Sequence, residues 1–527
     1  MKARHSLFLL FVPVLFACSE DDGITIPENK PDNIIYVDKV AGVDIGIGYQ
    51  TIEGFGASDC WMPSFVGKYW TTHRESIARL LFSKEMKDGQ PQGIGLSMWR
   101  TNLGGGSAQQ GDASGIADFT RRAESYLNDD LTYDWNRCEG QRYFLDRAKE
   151  YGLESLVLFS NTPPVQLTKN GRGYSENWNH ANLKDDCYDD FAAYMAEVDA
   201  HYRDAGYPVT HISPVNEPQY NWDGADQEGS GWQNEEVARL VRELDTQLTR
   251  KNADTKILLG EAGNWRYLYR IEGEMERSKM MDAFFNTSSK NYVGNLKHVP
   301  QLISGHSYWT DDAWDGMRKV RRNTAREAEK YNVSLWQTEW SMLGDEYSEN
   351  EFVGYDNATE MDIALYMAKV IHNDLTQAKV TSWSFWTAMD VPRWGHKNRF
   401  LLIALHPKND DISNEGTFQA CPTLWVLGNY SRFIRPGYQR IDLNHNESQY
   451  FFGSAWISPE GDELVTVYAN LSDHHIRLNE EHEGWTGGQT MVYTTTAIKA
   501  LEAKKIPVGE KPILEPKSVT TIVSKLK

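Results

Sequence analysis

Cysteine is scarce in this chain, with five in 527 residues. They stand at Cys18, Cys60, Cys138, Cys187 and Cys421. These intervals are far wider than the short paired spacings of a zinc site, and no other metal pattern is present. Positive charge is also short: 54 Lys and Arg face 74 Asp and Glu, a formal net charge of −20. That balance excludes nucleic acid and an anionic membrane surface as partners. A glycine-rich dinucleotide loop is missing as well. Gly104-Gly-Gly106 is a glycine cluster, but without the required spacing and following helix it reads as a tight turn near a ligand. With no metal cluster and no nucleotide loop, no cofactor is expected. The rest of the composition is that of an ordinary globular protein, 40% hydrophobic and 24% charged. Aromatics are abundant at 12%, with 18 Trp. Rings not needed in a core can stack on sugar faces, and the negative charge says little against a neutral polysaccharide.

The first residues read as an address. Lys2, Arg4 and His5 precede the apolar run Leu7–Phe16, which is too short to cross a bilayer. The run ends in Leu15-Phe-Ala-Cys18 and then Ser19-Glu-Asp-Asp22. This resembles a bacterial lipoprotein signal with an acidic surface-export tag of Bacteroidetes type. It implies a signal peptide over 1–18, lipidation of Cys18, and an outer-membrane, surface-exposed protein that meets the membrane only through its lipid. Residues 19–33 read as a flexible tether.

From Thr51 one theme recurs: a short apolar strand, a loop, an amphipathic helix. The strands are Thr51–Ala57, Gly93–Asn102, Glu154–Ser160, Thr210–Glu217, Lys256–Glu261, Leu302–Tyr308, Val333–Glu339 and Val380–Trp386. The clearest helices are Gln141–Tyr151, Asp189–Ala205, Glu235–Lys251, Ala313–Tyr331, Glu360–Leu375 and Pro422–Phe433. Eight such repeats predict an α/β fold, a (β/α)8 TIM barrel, over residues 51–433. After Tyr438 the helices stop. Gln449–Ser458, Glu463–Asn470, Gln489–Thr495 and Ser518–Ser524 read as strands of an antiparallel β-sandwich over 434–527, which a strand within 34–50 can join.

Two acids at barrel strand ends, Glu217 and Glu339, are the candidate pair. In His211-Ile-Ser-Pro-Val-Asn-Glu-Pro218, Pro218 cannot continue the ladder, so Glu217 is expected at a strand end. In Val333-Ser-Leu-Trp-Gln-Thr-Glu339, Glu339 ends the seventh strand. Both then face the C-terminal mouth of the barrel, where residues from different strands converge. Paired carboxylates there suit the cleavage of glycosidic bonds. Each acid alone would also be an ordinary solvated strand end.

The order Asn-Glu on strand four and Glu on strand seven resembles clan A glycoside hydrolases. The strings Gln50-Thr-Ile-Glu-Gly-Phe-Gly-Ala57, Pro214-Val-Asn-Glu-Pro218 and Asn429-Tyr-Ser-Arg-Phe-Ile-Arg-Pro-Gly437 narrow the resemblance to glycoside hydrolase family 30. It implies a retaining mechanism with Glu339 as nucleophile and Glu217 as acid/base. It also implies substrate-site roles for other residues. Asn216 would bind a sugar hydroxyl, Arg100 would brace the nucleophile, Tyr308 would donate to it, and Trp386 would floor the sugar site. His306 fits that site or a satisfied core position equally well. Gly54–Trp61, Asn102–Gly106, Ser160–Pro164 and Gln227-Glu-Gly229 are most like the endo-β-1,6-galactanase branch, which acts on plant arabinogalactan side chains. Asp59-Cys60 and Trp340 depart from that branch. Other readings stay open: a β-1,6-glucanase, a xylanase, an exo-β-glycosidase, or a surface glycan-binding lipoprotein without catalysis. Oligomeric state and thiol pairing are not readable.

Overall fold

Strands that are apolar along their whole length become parallel strands because both their faces are covered. In the computed structural model, Gly54–Ser58, Met98–Asn102, Ser155–Phe159, Leu302–His306 and Ser382–Phe385 are buried at every residue. The structure describes residues 34–176, 179–311, 313–343, 358–392, 398–507 and 509–526. Cys18, the signal peptide and the tether lie outside them.

Gly54–Ser58 pairs in parallel with Met98–Asn102 on one side and Ser382–Phe385 on the other. One arm continues through Ser155–Phe159 and Val209–Ser213 to Lys256–Ile257; the other runs through Ser334–Glu339 and Leu302–His306 to Leu259–Ala262. The arms therefore end on two halves of one strand, split at Leu258. Nine segments make eight strands, and the ring closes through the fifth. Met98, Val157, Leu258, Leu302 and Trp336, each from a different strand, pack inside the ring. The barrel is a filled core and not a pore.

The outer helices are Glu139–Glu150, Tyr188–Asp204, Asn234–Arg250, Trp314–Tyr331 and Glu360–Asn373. Their ends lie within two residues of the periodicity-based spans. Thr359 starts the last of them with a reciprocal cap: its hydroxyl accepts from Asp362 N at 3.1 Å, and its own N–H donates to the Asp362 carboxylate at 2.9 Å.

The strand Tyr36–Thr51 crosses into the second sheet system. It pairs antiparallel with Gln439–His445 and parallel with His475–Glu483, so the sandwich is mixed where pure antiparallel pairing was expected. Val492 and Ile506 from one end of this sheet share a buried cluster with Leu478 and Leu514 from the other end. The sheet therefore folds over on itself. Helix Pro422–Ser431 joins the two bodies: Asn429 donates to Thr521 Oγ1 at 3.0 Å and its carbonyl accepts from the same hydroxyl at 2.6 Å. A second join is ionic. Glu447, in the loop after Gln439–His445, binds Arg318 and sits 3.3 Å from His372 Nε2, both on barrel helices. Cys60, Cys138, Cys187 and Cys421 are free thiols. Among the described residues no helix is long and apolar enough to cross a membrane.

Candidate active site

Three local irregularities aim side chains into the mouth of the barrel. On strand seven Gly305 pairs with Gln337 but His306 pairs with Glu339, leaving Thr338 as an extra residue. Such a bulge lets two successive residues face the same side, and here Thr338 and Glu339 both do. Strand five bulges likewise between Leu259 and Ala262. Its Gly260 and Glu261 take φ of 105° and 49°, and a Cβ on Gly260 would stand 2.2 Å from the Ser304 carbonyl. Only glycine fits there, and the twist turns Glu261 inward. Strand four stops at Ser213, because Pro214 has no N–H for the ladder. Glu217 therefore sits four residues beyond the strand, not at its last residue, with φ 43° and its N–H donating to Glu261 O at 2.9 Å.

These turns bring six of the sequence-selected residues together. Arg100 donates through Nη1 to Glu339 Oε2 at 2.7 Å and through Nη2 to Asn216 Oδ1 at 2.7 Å. It is 1% exposed, and its guanidinium stacks 3.7 Å above the Phe159 ring. Tyr308 OH donates to Glu339 Oε1 at 3.1 Å. His306 places Nδ1 3.0 Å from Glu217 Oε1 and 3.8 Å from Glu339 Oε1. Oxygens of Glu217 and Glu339 lie within 4.8 Å of each other. Trp386 is not in this hydrogen-bonded group. It lines the adjoining cleft of about 540 Å3 with Trp61, Arg121, Asp390 and Phe400. Its ring meets Trp61 edge-on at 5.4 Å, and its backbone N–H donates to Trp340 O at 2.9 Å, next to the nucleophile candidate.

Sequence reasoning passed over Glu261. The strand Lys256–Glu261 ends in an acid just as the strand of Glu339 does, and that signal could have found it. Glu261 is fully buried. Its Oε2 accepts from Arg100 Nη2 at 3.1 Å and Thr338 Oγ1 at 2.9 Å and lies 2.9 Å from His306 Nε2. Gly263 was missed too; it packs directly beneath the Glu217 carboxylate. Glu228, from the Gln227-Glu-Gly229 string, is buried and accepts from Gly105 N at 2.8 Å and Ser107 N at 3.0 Å. It ties the glycine turn after strand two to the loop after strand four. Asp59 accepts from Asn102 N at 2.9 Å and Gln141 Nε2 at 3.0 Å, so it braces the same turn from strand one.

The charges follow from burial and proximity. Burial alone would favour neutral Glu261, but Arg100 and His306 hold its carboxyl down at about 2. Burial would also depress His306, yet Glu339, Glu217 and Glu261 hold the imidazole up at about 10. Burial pushes the Glu339 carboxyl above the usual range, against the pull of His306 and Arg100. Burial pushes the Tyr308 phenol well up, so it stays a donor.

No metal ligand set was expected from the sequence, yet Glu217, His306 and Glu339 carry atoms of metal-ligating type within 4.8 Å of one another. A doubly hydrogen-bonded imidazolium donates from both nitrogens and has no lone pair for a cation. The cluster thus presents acids, a charged donor and a braced carboxylate.

A closed parallel barrel with two opposed carboxylates at its mouth defines a glycoside-cleaving enzyme of the two-carboxylate kind. The family model for O-glycosyl hydrolase family 30 matches residues 39–396, and the chain belongs to that family. It is 24% identical over 487 residues to an endo-beta-1,6-galactanase of Hypocrea rufa, covering 87% of this chain and 84% of that protein. A conserved exported protein from Bacteroides fragilis is 30% identical, with TM-score 0.85 over 92% of this chain and 100% of that one. The catalytic domain of xylanase C of this family from Talaromyces cellulolyticus shares the fold at TM-score 0.65 and 18% identity, over 92% of this chain and 100% of that one. The protein is a glycoside hydrolase, and its substrate is a polysaccharide or an oligosaccharide derived from one.

Proposed function

We propose that this enzyme is a retaining endo-β-1,6-galactanase that acts on plant arabinogalactan side chains. The observation that carries retention is the approach of the two carboxylates. Oxygens of Glu217 and Glu339 within 4.8 Å of each other suit direct attack, since an inverting pair stands about 6.5–9.5 Å apart to admit a water. In the first step an oxygen of Glu339 bonds to the anomeric carbon as the glycosidic C–O bond breaks, and Glu217 gives its proton to the departing oxygen. In the second, Glu217 takes a proton from water, the hydroxide bonds to the anomeric carbon, and the Glu339 ester is released. Arg100 and Tyr308 orient the Glu339 oxygens, Asn216 holds a sugar hydroxyl, and Trp386 offers the sugar a ring face.

The substrate assignment is supported by the 24% identity to the Hypocrea rufa enzyme. Asn102-Leu-Gly-Gly-Gly106, anchored by Glu228, agrees with it. Product analysis on galactans, glucans and xylans tests it. Release of β-1,6-linked galacto-oligosaccharides is expected. Release from β-1,6-glucan or xylan alone would redirect the assignment, and no release from any would point to another β-linked glycan. Lipidation at Cys18 and display on the outer membrane complete the proposal.

A further inference from the structure

The two-carboxylate mechanism leaves a third acid unused. Glu261 is fully buried, is carried inward by a bulge and two left-handed residues, and takes three contacts on one oxygen. A buried ion without a task is costly to keep. We propose that Glu261 is a positioning residue that locks His306 as a charged donor to Glu217 and keeps the pocket electrically neutral while the proton is given and taken back.

The proposal rests on the roles given above to Glu217 and Glu339. The groups that face the proton are Arg100 from strand two, Glu217 after strand four, Glu261 from strand five, His306 and Tyr308 from strand six, and Glu339 from strand seven. Tyr267, on the short helix Arg266–Tyr269, also feels Glu217, and the Cys60 thiol and Asp59 lie near Arg100. The tyrosines and the thiol are held neutral by burial.

Within the hydrogen-bonded group, two cations, Arg100 and His306, meet three acids. Before the first step Glu339 must be an anion and Glu217 must carry its proton. With Glu261 ionised the charges cancel. After the step Glu339 is an ester and Glu217 is a carboxylate, and the charges cancel again. If Glu261 were neutral, the pocket would hold one excess positive charge in both states. That excess would pull the proton off Glu217 before it is needed. Geometry supports the same role. His306 Nε2 on Glu261 leaves Nδ1 to point at Glu217, so the ring has one orientation. The backbone adds a second tether, since Glu217 N donates to Glu261 O at 2.9 Å.

Glu261→Gln tests this, because it keeps the shape and removes the charge. Glu261 acts on Glu217 from across the His306 ring, and removing its charge there should move the Glu217 titration by about 1 pH unit. The alkaline limb of kcat/KM should therefore move to lower pH by about that amount, with kcat falling far more than KM rises. An alkaline limb that stays in place while activity drops would make Glu261 merely structural and overturn the proposal. If the variant does not fold, a measurement on the wild-type enzyme decides. With 15N-labelled histidine, the ring signal absent from His306→Asn should remain that of an imidazolium through pH 8. A neutral ring at pH 7 overturns the proposal. Glu339→Ala, tested with azide on an aryl glycoside, serves as the control for the underlying roles. Azide rescue together with an unmoved limb in Glu261→Gln would sink only this inference. Near-normal turnover in Glu339→Ala without azide would sink the roles themselves.

Discussion

A Cβ added to Gly263 would stand 2.9 Å from Oε1 of Glu217. It would also meet the Gln219 amide at 2.5 Å. The end of strand five is thus the floor on which the acid/base candidate rests. Both obstructing groups are ends of flexible side chains, so they can move while the backbone stays. Gly263→Ala is expected to leave thermal unfolding nearly unchanged and to push Glu217 off its position. Misplacement on the ångström scale costs on the order of 10²-fold in rate. Steady-state kinetics on galactan should show that loss mostly in kcat. A wild-type rate would mean the carboxylate tolerates displacement.

Glu217→Gln separates proton donation from binding. Glutamine keeps the shape but has no proton to give. On an intact polysaccharide the first step should slow by about 10²–10⁴-fold. On a dinitrophenyl glycoside, whose leaving group needs little assistance, first-step rates should change much less. A burst of leaving group should precede slow turnover, because water activation also uses Glu217. Equal losses on both substrates in pre-steady-state measurements would remove Glu217 from the acid role.

Glu447 connects the barrel to the sandwich through Arg318 and His372. Its burial opposes ionisation, but His372 and Arg318 hold it down at about 2, below its ordinary value of 4.5. An acid depressed in the folded state contributes stability that is full above the unfolded value and disappears as pH falls through the folded one. Glu447→Gln should therefore cost on the order of 2 kcal/mol at pH 7. The gap to wild type should narrow between pH 4.5 and about 2. Denaturant titrations at several pH values would show it, and a gap independent of pH would deny the ionic join.

Cys18→Ser should move the protein from the membrane fraction to the soluble fraction of a producing cell. On this reading the lipid is attached as a thioether on the Cys18 sulfur, which serine lacks. Unchanged membrane partitioning would reject the anchor.

Much of this was legible in the residues. The strand–helix repeats stand out because most of the strands are buried on both faces and helices such as Asn234–Arg250 carry one apolar stripe. Glu339 was readable as the last residue of its strand. Glu261 was overlooked although it ends a comparable run, and period-2 alternation from Leu258 would send it outward. The bulge that reverses it depends on Gly260 approaching the Ser304 carbonyl, a contact between strands. Gly263 gives no signal of its own, since its importance lies in what a side chain there would strike. In the sandwich, Gln439–His445 and His475–Glu483 were missed. They carry many polar and charged residues, and the partner that makes them strands lies near the other end of the chain.

That partner has a consequence for how the protein is made. Tyr49 donates to the Asp442 carboxylate at 2.8 Å across a separation of 393 residues. The strand Tyr36–Thr51 precedes the barrel in the chain and its neighbours follow it, so its edges stay open until the barrel has been made. Pairings this distant in sequence form slowly. A chain cut short after the barrel would carry an unmatched strand at its front, a natural substrate for chaperones and for aggregation. Arrival of Gln439–His445 and His475–Glu483 is thus what closes both edges of that strand.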